Sequence, residues 1–445
     1  MTLQNAPQRL PGDDDRAGSR RAARTLAVVG KAFADGAIGA DSTVTAIMDL
    51  DCLAETVGRL RASFPVGWRH RFAVKANPLI AVLRELSDLG LDMEAASAGE
   101  TAACVAAGIE RPRISFNSPV KTLPELRDAL FAGQPLSIDN HQEFERVARL
   151  VRDMPAADLP PIGFRINPQT GAGGIALTST AHRSSKFGLP ILEDGARDTL
   201  VGLYRDHAWL TFLHVHSGSQ GVPLEKLAES AVVVCDLACD INRAAGRRAV
   251  RTINIGGGLP IHCDPGRDNP SFSDYSNALQ SAAPDLFSGE FEVETEFGRA
   301  IAAPNGVLLA RVEYTKMAGG RLVAAIHAGS QLAVRTALAP KDWPLAFTVL
   351  DPSGAPKSGP EVATDLAGPC CYGGDLLCRG QMLVRAAPGD FILIHNMGAY
   401  GFTAHYDFNL IPRTEVLGAS GVGESLCFRR LRGRQCTEAI VQMLA

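Results

Sequence analysis

The sequence predicts an α/β fold in which a (β/α)8 barrel is followed by a C-terminal β domain. Between about residue 70 and residue 300, eight short apolar runs alternate with longer stretches of helical periodicity. After about residue 305 the helical periodicity weakens, and Gly and Pro separate the apolar runs. Because strands that alternate with helices build a parallel sheet, and eight of them close a barrel, we expect the barrel to be the larger domain.

The predicted barrel helices carry start and stop signals. Ser97 and Glu100 have the spacing of a capping box ahead of residues 101–107, and Thr122 has the same relation to Glu125. A long amphipathic stretch over residues 224–245 ends at Gly246. The predicted barrel strands are Arg71–Val74, Leu91–Ala95, Arg113–Phe116, Pro135–Asp139, Ile162–Ile166, Thr211–Val215, Arg251–Ile255 and Phe291–Glu296.

Segments on both sides of the barrel complete the predicted domain plan. Residues 1–24 are polar and charged and lack the apolar core of a signal peptide, so we expect a poorly ordered tail. Residues 25–48 include the predicted strand Ser42–Met48, which we expect to pair with the β domain. The barrel then spans residues 49–305 and the β domain residues 306–445. The strands predicted for the β domain are Val307–Tyr314, Arg321–His327, Leu345–Leu350, Met382–Ala386 and Asp390–His395.

The composition limits the functional classes. Hydrophobic residues make up 46% and charged residues 21% of the 445 residues, which allows a large core and excludes general disorder. A formal net charge of -4 gives no footprint for nucleic acid, and no segment is apolar enough to span a membrane. The ten cysteines contain no Cys-x-x-Cys pair, so we predict neither a disulfide framework nor a metal site. A reduced, cytoplasmic protein is therefore expected.

Lys75 is the most informative residue, because an apolar run ends on it. A break at Asn77-Pro78 follows, and then a helical stretch. A lysine at the C-terminal end of a core strand is either a solvated rim residue or a desolvated amine held for chemistry. A desolvated amine can form a Schiff base with a carbonyl, including that of pyridoxal phosphate. Active sites of (β/α)8 barrels lie at this end of the strands, which favours the second interpretation.

Other polar residues fall at the same ends of the predicted strands. Gly256-Gly257-Gly258 follows the seventh strand and is either a tight turn or a loop whose N–H groups approach a phosphate. Pyridoxal phosphate also needs an acidic partner for its pyridine nitrogen, and Glu296 at the end of the eighth strand is the candidate. His216 either stacks on the cofactor ring or is a structural histidine. Glu94 and Arg165 lie near the ends of the second and fifth strands.

Eight short motifs follow one another along the chain. They are Phe72–Pro78, Phe164–Pro168, Ser185–Gly188, His214–Gln220, Ile255–Gly258, Glu296–Arg299, Gly368–Cys371 with Asp375, and Gly398–Gly401. Together they resemble the diaminopimelate/ornithine decarboxylase family of fold-type III pyridoxal-phosphate enzymes, in particular its diaminopimelate-decarboxylase-like branch. The resemblance covers nearly the whole chain after about residue 40. It implies an alanine-racemase-type barrel with a C-terminal β domain, and pyridoxal 5'-phosphate as cofactor.

The resemblance implies a role for each matching position. Lys75 would hold the cofactor as an internal aldimine, and His216 would stack on the ring. Cys371 would donate a proton to the quinonoid after carbon dioxide leaves; a small buried cysteine is the alternative. Because Cys371 would reach the partner subunit's site, the family pattern implies a homodimer with shared active sites and a small amino-acid substrate. The implied cofactor-binding residues are Lys75, Glu94, Arg165, His216, Ser219, Gly257, Gly258, Glu296, Gly298, Arg299 and Tyr400.

Departures from the family pattern bear on the substrate. Tyr372 stands where the family usually has an acidic residue that meets a distal amine, so a terminal ammonium loses its partner. Arg335 keeps the position of an arginine that binds a distal carboxylate, but Ala339 replaces the tyrosine four residues later. Phe297 replaces proline in the motif Glu-Pro-Gly-Arg. The predicted substrate-binding residues are Arg335, Tyr372 and Asp375.

The combined pattern predicts a pyridoxal-phosphate-dependent decarboxylase for an amino acid with a distal anionic group. A diaminopimelate-like compound and a citrate-linked diamino acid of siderophore biosynthesis both meet this requirement. Three alternatives stay open. They are diaminopimelate decarboxylase of lysine biosynthesis, an amino-acid racemase on the same fold, and a non-catalytic regulator that keeps the fold.

Overall fold

The structure, a computed structural model, describes residues 13–39, 41–171, 173–263 and 269–445. Its larger part is a closed barrel of eight parallel strands, as predicted. The first barrel strand pairs with the second and the eighth, and the fourth pairs with the fifth, so the sheet has no free edge at these strands. In chain order the strands are Arg69–Ala73, Asp92–Ala95, Ile114–Phe116, Leu136–Ile138, Ile162–Asn167, Leu210–Val215, Thr252–Asn254 and Glu292–Phe297. Each predicted strand is confirmed to within about two residues.

Helices follow the barrel strands and cover the outside of the barrel. The predicted caps are present: Ser97 Oγ accepts from the Glu100 N–H at 3.1 Å, and Thr122 and Glu125 form a capping box. Gly246, with a φ of 59°, ends the long eighth helix. The α-helices are Asp13–Ala34, Leu50–Ser63, Ile80–Asp88, Ala98–Ala106, Leu123–Phe131, His141–Val151, Ala196–Asp206, Leu224–Ala245, Phe272–Ala282, Arg299–Ala302, Ser330–Leu338 and Thr437–Met443. Among the described residues, no helix has both the length and the apolarity needed to cross a membrane.

The β domain is built on a second sheet that both ends of the chain share. Val44–Asp49 pairs antiparallel with Gly306–Ala318 and parallel with Glu415–Ser420, so the N-terminal segment joins the β domain as predicted. A short strand, Leu189–Pro190, extends the barrel sheet beside the fifth barrel strand. The strands of the second sheet are Val44–Asp49, Gly306–Ala318, Arg321–Ile326, Phe347–Leu350, Glu361–Ala367, Leu376–Val384, Phe391–Ile394, Glu415–Ser420 and Cys427–Arg432.

The sequence prediction is incomplete in the β domain. It lacks Glu361–Ala367, Glu415–Ser420 and Cys427–Arg432, and it places the start of Leu376–Val384 too late. Cys427–Arg432 lies at the edge of the sheet and carries three arginines, which hides the alternation of a strand. Gly380, with a φ of 60°, lies inside Leu376–Val384 and interrupts the pattern by which that strand could be predicted.

The prediction of a poorly ordered tail over residues 1–24 is wrong for residues 13–24, which belong to the helix Asp13–Ala34. Arg24 anchors this helix through a 2.7 Å contact between its Nε and Asp49 Oδ2. Val28 and Val29 are buried in the apolar core beneath the second sheet. The prediction took the charged residues of this segment as a sign of poor order, but at least one of them, Arg24, has a fixed partner in the fold. Residues 1–12 lie outside the described residues.

Candidate active site

Lys75 lies at the C-terminal end of the first barrel strand, as predicted. The strand passes into one short 3-10 turn, Val74–Ala76, which takes Lys75 out of the sheet. Lys75 Nζ is ion-paired with Glu94 Oε2 on the second strand. The side chain of Lys75 is 38% exposed and that of Glu94 is 1% exposed, so the amine lies at the rim of the barrel and its partner inside. Burial lowers the pKa of Lys75, but Glu94, Tyr400 and Glu296 outweigh burial and leave this pKa above its ordinary value.

A loop of the β domain covers this end of the barrel. The Tyr400 N–H donates to Ala76 O at 2.9 Å, and Asn77 Nδ2 donates to Gly398 O at 2.9 Å. Tyr400 has a φ of 57°, a left-handed conformation that is uncommon for a residue other than glycine. These hydrogen bonds hold Tyr400 beside the turn that carries Lys75, although the two residues belong to different domains.

His216 lies in the loop after the sixth barrel strand and is neutral. Its Nδ1 accepts a hydrogen bond from the Gly257 N–H at 3.2 Å, which leaves the ring proton on Nε2. Burial, and then the positive charges of Arg165 and Lys75, hold the pKa of His216 well below its ordinary value. This is the ring state expected of a histidine that stacks on a flat cofactor.

Glu296 is buried at the end of the eighth barrel strand. Asn254 Nδ2 donates to Glu296 Oε1 at 2.8 Å, and His214 Nε2 lies 3.2 Å from Glu296 Oε2. Burial raises the pKa of this carboxyl, but His214, Lys75 and His216 outweigh burial and bring it well below its ordinary value. Glu296 is therefore ionised inside the barrel, which is the state required of a partner for a protonated ring nitrogen.

Arg165 completes the group of charged side chains at this end of the barrel. It is buried on the fifth strand, with its guanidinium 4.3 Å from the Phe187 ring. Burial lowers the pKa of Arg165, and the charges of Asp139, Glu296 and Glu94 act against burial. We call this group the lysine cluster; its members are Lys75, Glu94, Arg165, His216 and Glu296.

The glycine-rich turn after the seventh strand brings backbone segments into close approach. A Cβ at Gly257 would overlap the carbonyl oxygen of Glu296. Gly258 has a φ of 108°, and a Cβ there would lie 2.5 Å from Gly218 O. These positions therefore require glycine, as expected of a loop that approaches a phosphate. The Gly257 N–H itself is already used by His216.

The two other predicted residues of this region adjoin the same loops. A Cβ at Gly298 would lie 2.9 Å from Ala76 Cβ, so the end of the eighth strand packs directly on the turn of Lys75. Ser219 follows Gly218 in the neighbouring loop, and its N–H donates to Thr178 O at 3.2 Å. The structure thus brings the predicted phosphate-binding segments together at one end of the barrel.

Two arginines face a cleft between the barrel and the β domain. The Arg299 guanidinium lies 5.0 Å from the Trp343 ring and 4.6 Å from the Tyr400 ring; the corresponding distances for Arg335 are 5.1 and 4.4 Å. Arg299 Nε and Nη2 are buried and meet no hydrogen-bond partner among the described residues. The cleft has a volume of about 510 Å³. We call it the arginine cleft and define it by these four side chains.

Among the described residues, no carboxylate forms an ion pair with either arginine of the cleft, although Asp342 and Lys341 also line it. Burial lowers the pKa of Arg299 to about 10, with Tyr400 acting against burial and Arg335 with it. Burial also lowers the pKa of Arg335, and Tyr400 is the one group that acts against it. Two guanidiniums without an ion-paired carboxylate among the described residues favour an anion in the cleft.

Cys371 and Tyr372 form a separate group on the β domain. Cys371 is exposed, and its N–H donates to Asn409 Oδ1 at 2.7 Å. The Tyr372 ring packs edge-on against Phe408, with 5.7 Å between ring centroids. Neither residue lines the arginine cleft. Within the described part of one chain, the structure does not bring Cys371 into the lysine cluster.

Asp375, which the sequence analysis predicts to bind substrate, has its carboxylate engaged within the protein, and its contact with a substrate stays a prediction. Asp375 is 3% exposed, and its carboxylate serves the protein itself. Oδ1 accepts from the Ser330 N–H at 2.5 Å and from Ser330 Oγ at 2.8 Å, and Oδ2 accepts from the Cys370 N–H at 2.6 Å. Asp375 therefore joins the loop of Cys370 to the start of the helix that carries Arg335. A sequence motif does not distinguish a carboxylate that binds a ligand from one that binds backbone.

Three residues of the site escape the sequence analysis: His214, Asn254 and Trp343. His214 precedes His216 by two positions, and Asn254 precedes Gly256 by two. Because residues two apart on a strand share a face, this spacing is a signal that could have found the first two. Trp343 carries no comparable signal, since it lies in an irregular segment and its place depends on the tertiary fold.

The chain resembles known proteins over most of its length. The sequence model described as "Pyridoxal-dependent decarboxylase, pyridoxal binding domain" matches residues 50–303. Diaminopimelate decarboxylase of Pseudomonas aeruginosa is 32% identical over 356 residues, which cover 78% of this chain and 80% of that protein. The protein of the same name from Streptomyces coelicolor is 31% identical over 366 residues, with 78% and 80% covered.

Solved structures agree with this result at the level of the fold. Diaminopimelate decarboxylase from Helicobacter pylori, complexed with L-lysine, superposes with a TM-score of 0.77 at 24% identity and covers 91% of this chain and 97% of that chain. The barrel with its second β domain is therefore the alanine-racemase-type fold. With the family match over the barrel, it follows that this chain belongs to the fold-type III pyridoxal-phosphate-dependent amino-acid decarboxylases, in the diaminopimelate-decarboxylase-like branch.

Proposed function

We propose that this decarboxylase holds pyridoxal 5'-phosphate at the lysine cluster and acts on an amino acid whose distal end is anionic. Three features of the residues fit the cofactor. The Lys75 amine lies at an open rim, Glu296 is an ionised acid inside the barrel, and buried nitrogens of Arg299 meet no partner within the described ranges. When bound, pyridoxal phosphate withdraws electrons from the substrate α-carbon, which allows the α-carboxylate to leave as carbon dioxide.

The roles of the chain's own residues follow from their charge states. Lys75 would hold the cofactor covalently, and Glu296 would share a proton with its ring nitrogen. His216 contacts the ring as a neutral imidazole, because burial and two neighbouring cations keep it unprotonated. The phosphate is held at the junction of the glycine turn and the β-domain loop. The residues assigned to it are Ser219, Gly258, Gly298, Arg299 and Tyr400, and Gly257 is assigned to the close approach of the same turn, because its own N–H is bonded to His216.

Glu94 is assigned to proton transfer at Lys75. The Lys75 amine must lose a proton before it can react, and its pKa is raised by the surrounding charges. Glu94 Oε2 is paired with Lys75 Nζ, and Asn117 Nδ2 lies 3.4 Å from Glu94 Oε1. The proton on Lys75 Nζ therefore has an acceptor, the Glu94 carboxylate, whose position inside the barrel is fixed by Asn117.

The arginine cleft is the observation that carries the substrate assignment. Arg299 and Arg335 share the same two aromatic rings and have no acidic neighbour that contributes to their pKa values. Placing an anion between two such cations recovers part of the cost of burying them. A cleft of about 510 Å³ falls in the range of small-molecule sites. We assign the Arg335 side of the cleft to the distal anionic arm of the substrate, and the Arg299 side to the cofactor phosphate.

Two kinds of substrate satisfy this assignment. Diaminopimelate has a distal carboxylate, and the most similar relatives carry the name diaminopimelate decarboxylase. A citrate-linked diamino acid of siderophore biosynthesis has a larger anionic arm. Tyr372 supports the second candidate, because its ring packs on Phe408 and offers no carboxylate to a distal ammonium.

The proton that replaces the lost carboxylate is assigned to Cys371 of the partner subunit. Cys371 is exposed on its own chain, where its loop is held by Asn409 and Asp375. An exposed cysteine on a fixed loop, remote from its own lysine cluster, supports a homodimer in which each copy completes the other's site.

The substrate assignment is tested by carbon dioxide release. We compare diaminopimelate, a citryl-diamino acid, lysine and ornithine, using the wild type, Arg335→Met and the matched control Arg385→Met. Substrates with an anionic arm should be preferred. Arg335→Met should raise KM for them by about 10- to 100-fold, the value of one charge-assisted contact, with a smaller change in kcat. Arg385, which is exposed on the β domain, should tolerate the change. Preferred turnover of ornithine or lysine would contradict the assignment.

A further inference from the structure

A chain of buried polar side chains crosses the interior of the barrel. At one end, Arg71 Nε and Nη2 donate to Glu294 Oε2 and Oε1, each at 2.8 Å. Asn254 Nδ2 then lies 3.3 Å from Glu294 Oε2 and 2.8 Å from Glu296 Oε1. The amide of Asn254 thus bridges two carboxylates, and of these only Glu294 has an arginine partner in the described part of the chain.

The chain continues on the other side of Glu296. His214 Nε2 lies 3.2 Å from Glu296 Oε2, and His214 Nδ1 lies 3.3 Å from Ser137 Oγ. His214 is 1% exposed. Its Nε2 forms no hydrogen bond of ordinary geometry among the described residues, so its contact with Glu296 is one of proximity. Glu296 is the polar group that this buried nitrogen faces.

Burying this group of polar side chains costs free energy, which points to a function for the arrangement. A second carboxylate beside the Arg71–Glu294 pair raises the free energy of the interior, since buried charges need partners. Glu296 has one contact at each oxygen in place of an arginine: the Asn254 amide donates to Oε1, and His214 Nε2 lies beside Oε2. Such a pair of contacts fixes the orientation of a carboxylate and leaves its charge available to a ligand.

We infer that His214 and Asn254 are positioning residues that hold Glu296 in one orientation and as a carboxylate. The inference rests on the proposed pairing of Glu296 with the ring nitrogen of the cofactor. With Asn254 at Oε1 and His214 at Oε2, the carboxylate cannot rotate without breaking both contacts. The proton shared with the ring nitrogen then stays on the ring side, where it makes the ring a stronger electron acceptor.

The other charged groups around Glu296 do not replace this pair. Lys75 and His216 act on Glu296 from the open end of the barrel, and Arg165 acts from the fifth strand. The Arg71–Glu294 pair lies beyond Asn254, and its two charges act on Glu296 in opposite directions. All of these groups remain when His214 is replaced, so their contribution is common to the variants and the wild type.

Two substitutions at His214 distinguish the effect of its contact with Glu296 from the effect of changing a buried side chain. His214→Gln keeps an N–H donor at about the reach of Nε2, whereas His214→Asn places its amide nearer to Ser137 and short of Glu296. His70→Gln is the matched control, because His70 is also a buried barrel histidine, with Nδ1 2.8 Å from Thr295 Oγ1. The readout is the pH at which the visible absorbance of bound pyridoxal phosphate titrates, together with kcat and KM.

His214→Asn should shift that titration by about one pH unit or more and lower kcat about tenfold with little change in KM. His214→Gln should restore both, and His70→Gln should leave both as in the wild type. Wild-type titration and kcat in His214→Asn, when Glu296→Gln alters both, would overturn the positioning role. If Glu296→Gln also behaves as the wild type, the proposed pairing of Glu296 is what fails. Should His214→Asn not fold, Asn254→Ser removes the donor at Oε1, and an unchanged titration there overturns the inference equally.

Discussion

Asp375 joins two parts of the site that lie on different segments of the β domain. Its Oδ1 holds Ser330 at the start of the helix with Arg335, and its Oδ2 holds the Cys370 N–H next to Cys371. The surroundings are closed, because a Cβ at the neighbouring glycines 329 and 368 would overlap the carboxylate. We predict that Asp375→Asn disturbs both segments without changing the size of the side chain.

The magnitude follows from the three hydrogen bonds. Each bond to a carboxylate is worth about 1.5–3 kcal/mol. Asn keeps one acceptor oxygen, which can still serve the two donors of Ser330. Its amide N–H groups then face the Cys370 N–H, donor against donor, so one bond is lost and one buried donor is left unpaired. We expect a loss of about 2–4 kcal/mol in the free energy of unfolding.

Urea denaturation and steady-state kinetics test this prediction together. The control is Asp365→Asn, because Asp365 is a buried carboxylate of the same domain that accepts from the Gly380 N–H at 2.6 Å and pairs with Arg321. The control should lose stability but keep kcat/KM, whereas Asp375→Asn should lose both. If the free energy of unfolding of Asp375→Asn lies within about 1 kcal/mol of the wild type, the inferred loss of one hydrogen bond, with one buried donor left unpaired, is refuted. An equal kcat/KM in the two variants would refute the positioning of Arg335 and Cys371.

Three further predictions follow from the same structure. Gly257→Ala should weaken pyridoxal phosphate binding about tenfold or more, measured by cofactor titration, because its Cβ would overlap Glu296 O. Burial, and then Arg61, lower the pKa of His70 from 6.5 to about 4, so below pH 6.5 the unfolded chain binds a proton that the folded chain does not. Stability should therefore fall by up to about 3 kcal/mol between pH 6.5 and 4, and urea denaturation of His70→Gln should show a smaller fall. Lys75→Ala and Cys371→Ala should each be inactive, and mixing the two proteins should restore about a quarter of the activity if sites are shared in a dimer. A mixture that stays inactive would place the proton donor elsewhere.

The sequence predicts the barrel well because its strands are bounded on both sides. Each apolar run ends at a helix cap, a glycine or a proline, as at Ser97 and Gly246, and these local signals need no knowledge of the rest of the fold. The same property makes Lys75 and Glu296 predictable, since the C-terminal ends of barrel strands converge at one place. Local signals fail for edge strands such as Cys427–Arg432, whose pairing partner alone defines them.

The parts of the site that the sequence does not predict depend on contacts between distant segments. Arg299 and Arg335 are separate in sequence, and only the fold places both guanidiniums against Trp343 and Tyr400. Asp375 shows the converse, because its motif suggests a ligand contact and its partners are backbone groups. Chemistry at one strand end is visible in sequence, whereas the pairing of side chains across the site is not.

The two halves of the site differ in charge balance, and this difference locates the specificity. In the lysine cluster, Lys75 and Arg165 are offset by Glu94 and the ionised Glu296, so the cluster is close to neutral before any ligand binds. The arginine cleft carries two guanidiniums that pair with no carboxylate in the part of the chain that the structure describes. A substrate whose distal end carries only an ammonium would add a positive charge beside these cations, whereas a distal carboxylate lowers the charge of the cleft. Discrimination between substrates should therefore depend on the cleft, and the cluster should serve every amino acid that reaches it.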